Sequence, residues 1–553
     1  MRSAYQKICW CIILVMLPFV NGCETTKPAT KTVLPADAEG LGPTIGMLTE
    51  VFASDPIPVR GYALVGGLNG TGSAECPEPV RTYIEKYVMQ HFAGKKVNVN
   101  ELISSPDTAV VIVDGIIPSA AAKSQRFDVR VAALPGTQTT SLVGGWLYGC
   151  DLYEARQLGI SIKALATAEG PVYIDSLDAG AADGPASTSY AEASRTGFCL
   201  GGGSVLDEYK INLALRQPDY RIASQIRNRI NERFGYETAW ALAPGSVELR
   251  VPTKYTAAKG KFLQLVRATY LMETPELVEK RILNHVRKLA SPGAPGNKNA
   301  DELALEAIGN AVVPKLSAVL NSSDLEVRFR AARCMSNLGD KRASEILWST
   351  ATDKQSAHRV KAIDAIVNSS VKQDVSLLLG ILLRDDDFNV RLAAYENLVR
   401  LNDQAISRKL IAGSFYLDQI TAPGKPAIFV SRQGAARVAL FEAPIYCRSN
   451  LFVESPDRTI TINAAPGEQV ATIIRKHPSR SDTIVHLKSS LDLADIIQTL
   501  CSEPVAQPGE GGPGLGVPYS TLVGIIKQMV DSGAVPAEFH VGPLPRELPN
   551  IKK

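Results

Sequence analysis

Val59 to Ser73 reads VRGYALVGGLNGTGS. Tyr62, Ala63, Leu64 and Val65 are apolar in succession and predict a short buried strand. The strand runs into a turn carrying Gly66, Gly67, Gly70 and Gly72 around Leu68 and Asn69. Glycine suits backbone at positive φ or in close approach to another strand, and Asn tolerates the left-handed region. A phosphate-binding loop would use similar glycines, because backbone N–H groups cradle phosphate at a helix N-terminus. That chemistry also needs a Lys followed by Ser or Thr, and here Gly72 is followed by Ser73, Ala74 and Glu75. The residues therefore favour a packed structural turn.

Six consecutive residues, Gly67 to Gly72 (GLNGTG), together with the strand before them resemble a signature of the flagellar P-ring protein family. Its usual form is close to GYGLVVGLNGTGD, and Ala63, Gly66 and Ser73 depart from it. The resemblance implies a periplasmic structural ring protein, not an enzyme, with no cofactor. It marks Gly61, Gly66, Gly67, Asn69, Gly70 and Gly72 as a turn serving assembly.

The resemblance continues downstream. Asp107 to Asp114 is a β-branched run suited to a strand covered on both faces. Arg126 to Val131 alternates, with Phe127, Val129 and Val131 inward. Arg126 and Asp128 then share the outer face, as solvated or interface charges rather than a catalytic pair. Ala164 to Pro171 resembles the family's A-x-A-x-G-P strand, and Asp178 to Arg195 reads as a surface loop. Gly197 to Ser204 holds four glycines and predicts a flexible linker. Lys210 to Arg216 alternates as a strand, and Pro218-Asp219 caps a helix striped by Ile222, Ile226, Ile230 and Phe234. Gly235 ends that helix, and Val247 to Val251 is a further strand. The likeness covers about residues 45–274.

From Ala300 to Asp403 the pattern turns helical, with Arg328, Arg359 and Arg391 recurring at a spacing of about 32 residues. This is similar to HEAT-type repeats, whose paired helices bury their apolar faces by stacking. Its partner is not readable. Strands follow at Ile428–Val430, Arg437–Phe441, Thr459–Ile462 and Thr483–Leu487, with a short helix at Ser490 to Leu500. Tyr519 to Phe539 resembles the family's closing helix and strand, which would make the repeats an insertion.

The N-terminus carries Arg2 and Lys7 ahead of an apolar run from Ile8 to Val20, too short for a comfortable span and suited to a secretory signal. Val20-Asn21-Gly22-Cys23 resembles a bacterial lipobox, implying lipidation at Cys23, with Glu24 favouring the outer membrane. A formal net charge of +3, with two basic residues in that leader, gives no electrostatic case for nucleic acid. Six cysteines remain in Cys76, Cys150, Cys199, Cys334, Cys447 and Cys501, open to bridges or to buried thiols. Their spacing and the scattered histidines argue against a metal site.

With 553 residues the chain exceeds one core, and roughly three or four domains are expected. The expectation is an α+β protein with an inserted α-helical module. Its parts are a signal (1–22), a lipidated tether (23–44), a first domain (45–196) and a strand–helix–strand second domain (197–290). HEAT-like repeats (300–415), a β-rich domain (425–503), a Gly/Pro linker (504–518) and a C-terminal helix and strand (519–545) follow. The implied partners are further copies in a ring, the flagellar rod, the L-ring proteins and the outer membrane. The competing expectation is a lipoprotein adaptor that docks another envelope protein through its repeats.

Overall fold

The computed structural model describes residues 40–52, 55–91, 98–155, 163–175, 177, 194–291, 295–369, 372–455, 458–477, 480–503 and 514–545. Cys23, the signal, the tether up to residue 39, most of the 178–195 loop and residues 504–513 lie outside them. The architecture is α+β.

Strand β1 (Thr49–Phe52) belongs to a second sheet, while β2 (Ile57–Gly66) opens a closed antiparallel barrel. The barrel continues through β3 (Thr108–Ile117), β4 (Arg126–Ala133), β5 (Trp146–Glu154), β6 (Ala166–Pro171) and β7 (Thr196–Val205). Its order is β2-β3-β4-β7-β6-β5, closed by β2 against β5. Side chains fill the interior of so small a barrel, here Val65, Val111, Val129, Val131, Leu147 and Leu152 among others. Phe127 needs more room than its neighbours leave, and Gly203 and Gly115 supply it. A Cβ at either would stand within 2.8 Å of the Phe127 ring. Burying that ring contributes about 1.5–3 kcal/mol. The expected linker at Gly197–Ser204 is thus a barrel strand: its glycines answer crowding inside the barrel, and the first domain extends to Val205.

The second sheet has the order β1-β8-β10-β9, from β8 (Ile211–Leu215), β9 (Ala239–Ala243) and β10 (Ser246–Leu249). One face packs on the helices Tyr220–Phe234 and Lys259–Ala268 through Leu213, Ile226, Ile230, Val247, Phe262 and Leu265. Asp219 caps the first helix by accepting the Arg221 N–H at 2.7 Å, as its position predicts. β1, upstream of the barrel, is therefore an edge strand of this sheet.

Among the described residues, eight α-helices between Pro275 and Leu401 form one stacked layer. It begins at Pro275, earlier than the repeat pattern indicates, and ends before β11 (Ile406–Ile411). The three recurring arginines take different environments. Arg359 pairs with Asp385, Arg391 is buried against Phe388 and Phe441, and Arg328 is half-buried. What repeats is the buried pair three and four positions after each, Ala331-Ala332, Ala362-Ile363 and Ala394-Tyr395.

β11, β12 (Phe415–Ile420), β13 (Ala427–Val430) and β14 (Arg437–Phe441) form a mixed sheet of order β11-β12-β14-β13-β19, with β19 (Glu538–Val541) as its far edge. All four residues of β13 are buried, because Ala427 and Phe429 face the helical layer while Ile428 and Val430 face the opposite core. That second core joins the helices Leu493–Cys501 and Tyr519–Asp531 to the antiparallel sheet of β15 (Leu451–Glu454), β16 (Ile460–Ala464), β17 (Val470–His477) and β18 (Arg480–Ser490). The chain's closing strand therefore shares a sheet and a core with the β-rich region it was separated from on paper. Of the expected linker, residues 514–518 pack back, with Leu515 and Val517 buried.

Candidate functional site

The glycine turn is built from hydrogen bonds to its neighbours. The N–H groups of Leu68, Gly72 and Ser73 donate to the carbonyls of Asp107, Pro106 and Thr108 at 2.8–3.0 Å. Thr71 N–H donates to Leu68 at 3.1 Å, and the Thr71 carbonyl accepts from Thr140 at 2.8 Å. Leu68 is buried beneath the turn. Four consecutive-region N–H donors are thus engaged by protein carbonyls, and the next helix begins only at Glu78. A phosphate cradle needs those donors free.

The turn residues divide by cause. Gly67, Asn69 and Gly70 have φ of 79°, 49° and 87°, and space around Gly70 is open. Gly72 is a close approach: a Cβ there would stand 2.0 Å from the Thr108 carbonyl oxygen. Gly61 lies within β2 opposite the Asp151 carbonyl, and Gly66 lies under the Tyr148 ring. The structure brings Gly66 to Gly72 together at one end of the barrel and leaves Gly61 farther along the strand.

Arg126 and Asp128, read from the sequence as solvated or interface charges, take different roles. Asp128 is not an idle outer charge: its Oδ1 accepts the Gly201 N–H at 2.6 Å and the Gly434 N–H at 3.0 Å. Gly201 and Gly434 have φ of 61° and 66°, so both present their N–H groups from left-handed backbone. Burial raises the Asp128 carboxyl above its usual range, opposed by the two N–H donors. Arg126 stays exposed. Beside this bridge Arg432 pairs with Asp175 at 2.7 Å and donates to the Gly542 carbonyl at 2.9 Å. Tyr519 Oη donates within the same junction, 2.8 Å from the Ser431 and Arg437 carbonyls. Residues 431–436, between the expected strands Ile428–Val430 and Arg437–Phe441, carry one local signal, the glycine at 434, and its partner lies 306 positions away.

Between barrel and mixed sheet lies an open cleft of about 1260 Å³. Asp114, Arg130 and Trp146 line its barrel wall, and Leu410, Tyr416 and Arg437 line the other. Asp114 is committed to Arg60 through a two-point contact of 2.6 and 3.2 Å. Among the described residues no His, Cys, Asp and Glu group is placed to hold a metal. A hydrogen-bonded chain from Tyr270 Oη to His285 Nε2 (2.9 Å) and from His285 Nδ1 to Asp301 (2.8 Å) has the connectivity of an acid–base relay. All three residues are buried, Arg281 stacks 3.9 Å from the Tyr270 ring centre, and none lines the cleft. Its geometry fastens the N-terminal segment to the helical layer, with Arg281 donating to the Leu41 and Met272 carbonyls at 2.7 Å.

Helix ends are tied to the second sheet's unit in the same manner. Arg233 donates to the carbonyls of Ala307 and Glu306 at 2.9 and 2.7 Å, at the C-terminus of the helix Pro295–Ile308. Lys254 donates to the Asn337 carbonyl at the end of the helix Leu325–Asn337. Cations placed there meet the unpaired last carbonyls. The six described cysteines are free thiols, five of them buried. No helix among the described residues is long and apolar enough to cross a membrane.

Residues 45–287 match the family model described as Flagellar P-ring protein. The chain is similar to the flagellar P-ring protein of Thermotoga maritima, 34% identical over 215 residues that cover 37% of this chain and 60% of that one. It is also similar to the flagellar P-ring protein of Geobacter metallireducens, 30% identical over 234 residues covering 40% and 60%. The chain thus spans about 60% of the length of these relatives. A solved complex of CpcE and CpcF of phycocyanin lyase from Nostoc sp. PCC7120 matches 22% of this chain and 77% of that one at 18% identity, with a TM-score of 0.20, too low to speak for a shared fold. The matched P-ring segment ends at residue 287, before most of the helical layer and all of the closing strand.

Proposed function

Residues 45–287 belong to the flagellar P-ring protein family, and from that premise we propose that the chain is a structural component of the bacterial flagellar basal body. In this reading copies of the chain assemble as a homo-oligomeric ring around the periplasmic rod, beneath the L-ring proteins. Ring growth requires heterologous contacts that close by rotation. The observation that carries the reading is that the matched segment takes in the whole barrel and the whole second sheet with its helices. Those units hold the glycine turn, which serves assembly by packing the barrel end.

The helical layer is a HEAT-like module set between the P-ring segment and the β-rich region, and it docks or spaces a partner. The lipobox-like Cys23 anchors the chain to the outer membrane. The second reading, an outer-membrane lipoprotein adaptor that never closes a ring, is supported by the same layer, which lies mostly beyond the matched residues. Electron microscopy of detergent-extracted basal bodies, with and without the gene, separates the two. Rings around the rod that vanish on deletion support the first reading. Rings that persist overturn it in favour of the adaptor.

A further inference from the structure

The helix Lys372–Leu382 packs into the helical layer through Val375, Leu378, Leu379 and Leu382. Its opposite face is unlike the outer face of its neighbours. Leu377 is 68% exposed and Ile381 57% exposed, and among the described residues no other helix leaves two large apolar side chains so open. Gly380 beside them has no neighbour within 4 Å of where a Cβ would stand. Glycine weakens a helix interior, and no crowding within the chain calls for it here.

A charge stands at each end of this apolar pair. Asp374 lies one turn before Leu377, and Arg384 lies one turn past Ile381. The helical winding reaches that far, since Leu383 N–H donates to the Leu379 carbonyl at 3.0 Å and Arg384 N–H to the Ile381 carbonyl at 3.1 Å. At about 100° per residue the four side chains fall within roughly 80° of one face. Asp374 and Arg384 are exposed, and neither side chain has a hydrogen bond or ion pair among the described residues. The carboxylates next to Arg384, Asp385 and Asp386, are taken by Arg359 and Lys354. Along the stripe the order is acid, apolar, apolar, base. Asp374 and Arg384 stand equally far on either side of position 379, as do Leu377 and Ile381. The stripe is therefore complementary to its own reverse. A second copy laid antiparallel sets Leu377 against Ile381 and Asp374 against Arg384, twice over, whereas a parallel copy sets like charges together.

We propose that this face is a self-docking surface, on which the helix Lys372–Leu382 of one copy packs antiparallel against the same helix of a second copy, across a two-fold axis at position 379. The contact is isologous, each patch meeting its own duplicate. It is separate from the heterologous contacts by which a ring grows, and it couples copies in pairs whether or not a ring closes. A stripe of three turns falls short of the roughly 800 Å² per partner of a standard interface, so the pairing is weak and readily reversed.

The test is sedimentation equilibrium of the purified full chain, taken up to several hundred micromolar. The expected result is concentration-dependent pairing that Leu377→Lys weakens at least tenfold. Asp374→Arg and Arg384→Asp each weaken it as well, because each sets like charges face to face at both ends. The double variant Asp374→Arg with Arg384→Asp restores pairing to within about threefold of the unchanged chain, since exchanging the charges keeps each end complementary. A merely structural role for these side chains gives no such restoration. An unchanged chain that stays unpaired at the highest concentration overturns the proposal. So does pairing that survives Leu377→Lys, or a double variant no better than the single ones. All three positions are exposed, and circular dichroism checks that each variant folds. Pairing is read against variants of the same chain and needs no basal body, so its outcome is independent of ring assembly.

Discussion

The carboxylate of Asp128 on the barrel accepts the N–H of Gly434 at 3.0 Å to each oxygen, across 306 positions of sequence. The same carboxylate holds Gly201 of β7 at 2.6 Å, so one side chain clamps two left-handed turns. Replacing it with Ala leaves two N–H groups without acceptors, at a cost of about 1–3 kcal/mol. Hydrogen exchange should quicken at the Gly201 and Gly434 amides in Asp128→Ala while helix amides in 275–401 keep their rates. Unchanged exchange at both glycines would refute the clamp.

The clamp also has a pH signature. Burial raises the Asp128 carboxyl more than its N–H donors lower it. The folded chain then holds this proton more tightly than the unfolded chain. The associated stability is present below the ordinary carboxylate range and is lost as pH rises through the raised value. Asp128→Asn does not titrate, so its deficit is expected to be larger near pH ~4 than near pH ~7. Urea midpoints at the two pH values measure this, and a deficit that grows toward neutrality contradicts it.

Gly70 and Gly72 make opposite demands. Gly70 is left-handed in open space, so Gly70→Ala carries strain of about 1–2 kcal/mol. Gly72→Ala drives a methyl into the Thr108 carbonyl and moves the β3 backbone, costing upward of ~3 kcal/mol. Thermal unfolding of the two variants should rank them in that order, and equal losses would remove the distinction.

Arg233 is predicted to fasten the helical layer to the P-ring segment. Arg233→Ala strips two carbonyls of a charged donor, a loss of about 1.5–3 kcal/mol. Limited proteolysis should then cut first near Gly309, where the helix Pro295–Ile308 ends. Arg342→Ala, which breaks an exposed pair with Asp340, serves as the comparison and should change little.

Thiol labelling reports the cysteines. Burial pushes Cys150, Cys199 and Cys447 up to about 12, and raises Cys334 and Cys501 as well. Cys76 is half-buried, so iodoacetamide at mildly alkaline pH should label it first among the six, and the other five only in urea. Peptide mapping that finds the buried five modified in the native chain would contradict the packing described.

Local periodicity was the part of the fold that residues display openly. The alternation from Arg126 to Val131 appears as written, with Phe127, Val129 and Val131 inside the barrel. The helix Tyr220–Phe234 buries Ile226 and Ile230 as its stripe requires. Closure was hidden, because it depends on pairings such as Val129 with Cys199 that no local pattern encodes. Gly197 to Gly203 misled for a physical reason: glycine in a loop and glycine beneath a Phe ring are the same letter. The β-branched run ending at Asp114 reads correctly as covered on both faces, yet the cover comes from barrel interior on one side and the helix Val99–Ile103 with its neighbours on the other. Of the site, the glycine turn was visible and the Asp128 bridge was visible only as an interface charge, since Gly434 gives no hint of its distant acceptor.

Strand β13 has no face of its own. Ala427 and Phe429 complete the core of the helical layer while Ile428 and Val430 complete the core beneath it. A chain cut back by excising residues 275–405 would turn Phe429, Phe441, Ala427 and Ala439 toward water as one continuous apolar sheet surface, the kind that draws molecules together indiscriminately. The helical layer is therefore not detachable cargo. Whatever route brought it into the chain, the shared core acts as a ratchet: the layer can be elaborated or retuned, but its loss would be felt first as insolubility rather than as loss of a task.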